Sequence, residues 1–173
     1  MANTHGVVNT THCSAWTDDA LNFSGVAVTD IDNGTFVALG DLQKTDDMID
    51  EYTFTVTPDA NGTSTIKYIV DTQIGKAGTL EQQLYNDPRY FYNIAGRAMS
   101  IKQLQVGNCV EINAEAMVTG ATPADQPTYK TATIGANGKL QMVADAGAFK
   151  YMGAVERAIG QEVVPHYVFM LMA

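Results

Sequence analysis

The residue types best suited to chemistry are three histidines and two cysteines, and their spacing argues against a site. His5, His12, Cys13, Cys109 and His166 are the strongest metal-ligand types in the chain. No two of them have the short paired spacing of a zinc site, so their convergence would depend entirely on the fold. Adjacent side chains of an extended chain diverge, so His12 and Cys13 are not a nucleophile–base pair. We therefore predict no metal site and no catalytic dyad.

The acidic residues suggest a calcium loop at one position, but the pattern is incomplete. Asp30, Asp32 and Asn33 are followed by a glycine one residue too early, and no Glu closes a twelve-residue loop. Turn chemistry, in which Asp and Asn side chains bond local backbone, explains them better. The pairs Asp18-Asp19 and Asp46-Asp47 lie in polar stretches, whereas general acid–base catalysis needs carboxylates held in a shaped pocket.

Motifs for other catalytic chemistry are missing from the sequence. There is no Gly-x-Ser-x-Gly elbow. The segment GKAGT, from Gly75 to Thr79, has the wrong residue order and spacing for a phosphate loop. We expect a protein that is not an enzyme, with no catalytic, cofactor-binding or metal-ligating residues and no cofactor.

Composition indicates one folded domain with an acidic surface. The 173 residues are 46% hydrophobic and 17% charged, which fits a chain with a real core. The net charge is −9, and the ten basic residues are spread along the chain, so nucleic acid is not an expected partner. No apolar run approaches the roughly 20 residues of a membrane helix, and the polar start lacks a signal peptide. We expect no membrane partner and synthesis in the cytoplasm.

The sequence leaves the state of the cysteines open. Cys13 and Cys109 are too few for a disulfide framework. One long-range bridge and two free buried thiols both fit.

The first 22 residues predict an extended N-terminal arm, and residues 23–173 predict a β-rich domain. The arm is rich in Thr, Asn and His and has no sustained periodicity, which is typical of segments that become ordered against a partner. Trp16, the only tryptophan, lies near its end. It is expected to anchor in the chain's own core or in a neighbouring subunit.

Three Asn-Gly dipeptides predict antiparallel hairpins. Asn33-Gly34, Asn61-Gly62 and Asn137-Gly138 each lie between apolar and β-branched runs. Asn-Gly suits the positive φ that a type I′ turn needs at both central positions. With the first dipeptide as a two-residue turn, Ile31 faces Phe36.

Period-two alternation predicts the strands. Around the second dipeptide it is clearest, with Tyr52, Phe54 and Val56 on one side and Ile66, Tyr68 and Val70 on the other. Further strands are predicted in QVGNCVEINAEAMVT, TYKTATIGANGKLQMVA, AFKYMGAVERAI and VVPHYVFMLMA. In the last of these, Pro165 confines the beginning to an edge or a bulge.

The stretch TLEQQLYNDPRYFYNIAGRAMSIKQL differs from the predicted strands. Pro88 prevents a continuous helix, so a loop or a short helical turn is expected. Its aromatic cluster is expected to form a satellite core, with stacking on bases or sugars as the alternative: Tyr85, Tyr90, Phe91 and Tyr92. Together the patterns predict a mainly β protein. Antiparallel hairpins form a small barrel or sandwich, with a short helical segment and an extended N-terminal arm.

Three segments occur in a characteristic order: GVAVTDIDNGTFVALGDL, YNDPRYFYNIAGRAMSIKQLQVGNCVEIN and IGANGKLQMVADAGAFKYMGAVERAIG. In this order the chain resembles the capsid decoration (cement) proteins of tailed bacteriophages. The resemblance spans most of the chain from about Ser24 onward and includes no catalytic signature. One departure is Gly107-Asn108, where such proteins usually have Gly-Asp.

The resemblance implies a structural virion protein, made in the host cytoplasm, that binds the outer surface of the phage capsid lattice and stabilises it. The implied partners are the phage major capsid protein and further copies of the chain. Monomers, dimers and trimers all fit the symmetry positions of a capsid, and a homo-oligomer such as a trimer is expected. The alternatives are another virion structural subunit, such as a tail tube or head fibre, and a carbohydrate-binding β module suggested by Trp16 and the tyrosines.

Overall fold

The computed structural model describes residues 4–45, 48–73, 88–159 and 162–172. The prediction of a mainly β protein is confirmed. Within these ranges the helical structure consists of short 3-10 turns: Ser14–Trp16, Asp19–Leu21, Ala60–Gly62, Pro88–Tyr90, Ala114–Ala116 and Ala136–Gly138. The strands are β1 (Val8–Asn9), β2 (Asn22–Ala27), β3 (Phe36–Thr45), β4 (Met48–Pro58), β5 (Tyr68–Val70), β6 (Ala98–Gln103), β7 (Cys109–Ile112), β8 (Thr131–Ile134), β9 (Leu140–Val143), β10 (Phe149–Ile159) and β11 (Glu162–Leu171).

Six strands form an antiparallel sheet in the order β1-β7-β11-β10-β8-β9. The segment after β7 protects its β9 edge. The Val118 amide donates to the Leu140 carbonyl at 2.8 Å, and the Met142 amide donates to the Ala121 carbonyl at 2.9 Å. These bonds satisfy backbone groups that an open edge would offer to another chain.

The other five strands close into a small barrel in the order β2-β4-β3-β5-β6, with β2 and β6 completing the ring. The β2–β4 pair is parallel and the other ladders are antiparallel. The interior is narrow. A Cβ on Gly25 would lie 2.3 Å from a methyl of Val56 and 2.4 Å from one of Ile101. A larger residue at Gly25 would therefore collide with the residues that fill the barrel.

Neighbouring residues of the barrel strands contribute to two different cores. Val37 and Val70 are buried inside the barrel, whereas Phe36 and Ile69 are buried in the core of the six-stranded sheet. The Phe36 ring meets Phe149 of the sheet edge-to-face, with centroids 5.1 Å apart. Because successive side chains of a strand point to opposite faces, one strand supplies both layers.

The third Asn-Gly dipeptide forms the hairpin that the sequence predicts. β8 and β9 pair with Ile134 opposite Leu140, and the loop is five residues long where two were expected. Asn137 and Gly138 have φ values of 62° and 71°. A Cβ on Gly138 would lie 2.2 Å from the Phe36 carbonyl oxygen, so a close backbone approach also requires glycine here.

The hairpin predicted at Asn33-Gly34 is wrong. β2 pairs with β4 and β6, β3 pairs with β4 and β5, and Phe36 lies opposite Ile69 instead of Ile31. Only Gly34 of the dipeptide has a positive φ, 83°. The Asn33 amide group donates to the Thr72 carbonyl at 3.0 Å, so its side chain joins two loops instead of presenting a hairpin tip.

At Asn61-Gly62 the strands are correct, but the pairing between them is wrong. Both residues have φ of 63°, as predicted, yet β3 lies between β4 and β5 in the barrel. Ile66 lies outside the strands. The Asn61 amide instead donates to the Gly135 carbonyl at 3.0 Å, which joins this turn to the loop of the β8–β9 hairpin. Local alternation identifies strands but does not identify their partners.

The described part of the N-terminal arm packs on its own chain, with the short strand β1 followed by two 3-10 turns. In β1, Val8 pairs with Ile112 of β7, and the Val7 amide donates to Asn113 Oδ1 at 2.8 Å. Strand addition to a sheet edge therefore occurs within the molecule. The domain boundary after residue 22 stays a prediction, and β2 begins at Asn22.

Two proline predictions are confirmed. Pro88 begins a 3-10 turn, in agreement with the short helical turn expected there. Pro165 pairs with Glu156 of β10, while the ladder from β11 to β7 begins only at Tyr167. Pro165 therefore lies on an edge, where its missing N–H costs no ladder bond. Residues 74–87, which include the GKAGT segment and Tyr85, lie outside the described residues.

Candidate functional site

The two cysteines are free, which decides between the alternatives that the sequence left open. The Cys13 thiol donates to the Cys109 carbonyl at 3.2 Å. Burial raises the pKa of the Cys13 thiol to about 12, so it is protonated at neutral pH. A buried protonated thiol is a poor nucleophile and behaves as a small apolar residue.

The histidines lie in three different environments. His5 stacks on Tyr92 with ring centroids 4.8 Å apart, His12 is exposed, and His166 is buried. Across the described ranges, no three His, Cys, Asp or Glu side chains lie close enough together to hold a metal ion.

The residues that resembled a calcium loop bind separate partners. Asp32 Oδ2 lies 3.1 Å from Lys139 Nζ, and its Oδ1 lies 2.8 Å from His5 Nδ1. Asp30 accepts a hydrogen bond from the Ala95 amide at 2.8 Å. These carboxylates join loops to neighbouring elements. Asp18 accepts from the Ala20 amide, which is likewise local turn chemistry, and Asp46-Asp47 lies outside the described residues.

The aromatic residues expected to form a satellite core are partly separated. Phe91 and Tyr92 are half-buried, and Tyr92 covers His5. Tyr90 is more exposed, and its ring centroid lies 5.7 Å from the Arg89 guanidinium carbon. Among the described members of the cluster, Tyr92 therefore contacts the arm through His5, and Tyr90 contacts Arg89.

A buried polar cluster joins the arm to the barrel. Lys102 Nζ lies 2.9 Å from Asp71 Oδ2 and donates to Thr10 Oγ1 at 2.9 Å. The Thr10 hydroxyl donates to Asp71 at 2.5 Å and accepts from Trp16 Nε1 at 3.0 Å. Lys102 Nζ also lies 4.3 Å from the Trp16 ring centroid, within cation–π range. Trp16 thus anchors the arm to its own chain, although 48% of the residue stays exposed.

A second ion pair, between the buried Glu111 and the partly exposed Arg157, supports the β10–β11 hairpin. Arg157 binds Glu111 of β7 through two parallel bonds of 2.9 and 2.7 Å, and Asn9 adds a third contact at 3.2 Å. Burial opposes ionisation of Glu111, but the bonds and charge of Arg157 outweigh it and lower the pKa of this carboxyl. Arg89 also bonds Glu162 near the tip of the hairpin.

His166 lies in the same region. It is 3% exposed, and neither ring nitrogen has a hydrogen-bond partner among the described residues. Burial lowers the pKa of His166, while the charge of Glu111 opposes that shift. Arg157 lowers it further and Glu115 raises it. A neutral imidazole is therefore favoured at this position.

Two long hairpins extend past the strands that hold their bases. In β10–β11, β8 pairs with β10 only as far as Lys150, and β7 pairs with β11 only from Tyr167 onward. The part of the hairpin beyond these residues has no third strand among the described residues. In β3–β4, the ladder from β2 begins at Thr53, so the outer part has no third strand among the described residues. The large apolar side chains exposed on the described residues of these outer parts are Met48, Ile49, Tyr52, Met152 and Val163.

Comparisons with known proteins gave no match to a family model, a curated protein or a solved structure. Among the described residues, no helix has the length and apolar character needed to cross a membrane.

Sequence reasoning missed both of these ion pairs. In the strand pattern, Lys102 lies on the face opposite to Met99 and Ile101, so it is expected to point outward. It is buried because the segment around Thr10, 92 positions earlier, packs over it. Glu111 likewise lies in a short apolar strand whose basic partner is 46 residues away. An isolated charge within an apolar strand is the only signal that points to either pair.

Proposed function

We propose that this chain is a structural virion protein that binds the outer surface of a phage capsid lattice and stabilises it. The resemblance of its three ordered segments to capsid decoration proteins is the starting point. The structural observation that carries the proposal is the outer part of the β3–β4 hairpin. Met48 is 74% exposed and Tyr52 is 83% exposed. Exposed apolar side chains that cluster on a projecting element are typical of protein–protein interaction sites.

The β3–β4 tip offers three exposed apolar side chains to a partner. Met48 and Tyr52 are the most exposed, and Ile49 is exposed as well, in a stretch where the ladder with β3 shifts register between Ile49 and Phe54. A partner that covers this tip would bury apolar surface at about 25 cal/mol per Å² before the costs of association. The lattice partner is the phage major capsid protein.

The charge of the chain agrees with a position on the outside of the capsid. A net charge of −9 repels packaged nucleic acid and favours the outer capsid surface. A homo-oligomer would place several hairpin tips on the lattice at once. Once one tip is bound, the other tips are held at a high effective concentration near their sites, so the oligomer binds tightly even when the affinity of each single contact is low.

The proposal is tested with purified protein and expanded empty capsids that lack the decoration protein. We expect co-sedimentation with capsids and a rise in the temperature at which the capsids break. Intact capsids that neither bind the protein nor gain stability would contradict the proposal. Electron microscopy of the isolated protein separates the alternative of a tail tube, because a tube subunit forms rings or cylinders without capsids.

A further inference from the structure

A polar cavity of about 490 Å³ opens where the N-terminal arm meets the barrel. This volume lies within the range of small-molecule sites, about 300–1,000 Å³. It is separate from the exposed hairpin tips that the proposed function uses. Its lining residues that carry the argument are Trp16, Asp19, Asn22, Gln73, Ser100 and Lys102.

Trp16 is fixed in place but remains accessible. Its indole N–H is held by Thr10, and Lys102 Nζ lies over its ring at 4.3 Å from the centroid. Nevertheless 48% of the residue is exposed. A large aromatic ring that is held rigidly at the mouth of a cavity loses little conformational freedom when a flat ligand stacks on it.

The other lining residues indicate a ligand with many hydroxyl groups. Asp19 and Gln73 are exposed and supply a carboxylate and an amide, while Asn22 and Ser100 are half-buried at the same opening. Such groups form hydrogen bonds with hydroxyls as both donors and acceptors. An aromatic ring beside them suits the apolar face of a sugar ring.

Charge narrows the class of ligand. Among the lining residues that the structure describes, the Lys102 charge is balanced by Asp71 at 2.9 Å, and Asp19 carries the remaining charge. An anionic ligand would meet this carboxylate and the acidic surface of the chain. A neutral ligand meets no such repulsion.

We propose that this cavity binds a neutral saccharide, with Trp16 as the stacking platform and Asp19 and Gln73 as hydrogen-bonding groups. The site lies on the chain itself and does not depend on capsid binding. Its test therefore uses the isolated full-length protein, and failure of either proposal leaves the other standing.

Trp16 provides the readout, because it is the only tryptophan. The protein is titrated with glucose, galactose, N-acetylglucosamine and maltose while intrinsic tryptophan fluorescence is recorded, and calorimetry is run in parallel. We expect a saturable response to at least one sugar and a weaker response to sialyllactose, which carries a negative charge. Absence of saturable binding to all four sugars by both methods would overturn the proposal, as would tighter binding of the anionic sugar.

The variants Asp19→Ala and Gln73→Ala keep the fluorescent reporter and alter exposed side chains only. Each should raise the Kd for the bound sugar by about tenfold, a loss of about 1.4 kcal/mol. Asp41→Ala, which removes an exposed carboxylate from β3, is the matched control and should leave the Kd unchanged. Equal Kd values in all three variants and the parent protein would contradict the assigned site.

Discussion

The two long hairpins of this protein differ in how other elements support them. The outer part of β10–β11 is supported by contacts with other elements, namely the Arg157–Glu111 pair and the bond from Arg89 to Glu162. Both hairpins have register shifts and expose apolar side chains, but among the described residues the outer part of β3–β4 has no ion pair to another element, and its tip is more exposed, with Tyr52 at 83% against Val163 at 64%. The difference suggests that β10–β11 is part of the scaffold, whereas β3–β4 is the surface available to a partner.

The largest expected difference between the hairpins is in the free energy of unfolding that is lost when a side chain is truncated at the buried base of one or at the exposed tip of the other. Phe149→Ala at the base of β10 should lower the free energy of unfolding by about 3–5 kcal/mol, because the fully buried ring packs against Phe36. Tyr52→Ala at the β4 tip should change it by less than about 0.5 kcal/mol. Urea denaturation measures both values. Similar losses in the two variants would show that the β4 tip is packed and not available to a partner.

The second prediction concerns the support of β10–β11. Glu111→Gln removes the charge that holds Arg157 and should increase the hydrogen-exchange rates of amides in 155–166. Asp41→Asn on β3 is the control, because it makes the same chemical change on an exposed carboxylate. Unchanged exchange in the Glu111 variant would mean that the ion pair does not restrain the hairpin.

The third prediction concerns acid, which should weaken the β10–β11 side first. The folded-state pKa of His166 is lowered by burial, so unfolded chains bind the proton more tightly. Stability should therefore fall as pH decreases below about 6.5, down to the lowered pKa of the folded state. Glu111 adds a further loss at lower pH, because its stabilising charge is removed as pH falls through its own lowered pKa.

His166→Leu should remove the pH dependence that begins near 6.5 and keep the loss at lower pH that arises from Glu111. Equilibrium unfolding between about pH 3 and 8 covers both effects, with His12→Leu as an exposed control. If the parent protein and the His166 variant have identical profiles of stability against pH, the buried imidazole is not the cause of the loss that begins near pH 6.5.

The positions of the strands could be predicted from the sequence, but most of the pairing between them could not. Alternation correctly marks β4 and β5, and the hairpin at Asn137-Gly138 forms because β8 and β9 are neighbours in both sequence and space. At Asn61-Gly62 the same signal gives the wrong partner, because β3 takes the place beside β4. Barrel closure depends on contacts between distant segments, which no local pattern encodes.

The candidate sites were less predictable than the fold for the same reason. The sequence predicts that Trp16 is an anchor, but its contact with Lys102 depends on the arm folding back across the barrel. Met48 and Tyr52 are exposed because β2 pairs with β4 only from Thr53 onward and leaves the outer part of β4 uncovered on that side. Both features are set by tertiary geometry, whereas residue type alone indicates only that an aromatic or apolar group needs a partner.

The most direct test of the central claim compares capsid binding by two double variants. Met48→Ser with Tyr52→Ser alters the β3–β4 tip, and Val28→Ser with Val106→Ser alters exposed apolar residues elsewhere. Co-sedimentation with expanded empty capsids should show a Kd raised at least about tenfold for the tip variant, about 1.4 kcal/mol or more, and an unchanged Kd for the control. Equal binding by the two variants would contradict the claim that the β3–β4 tip contacts the capsid.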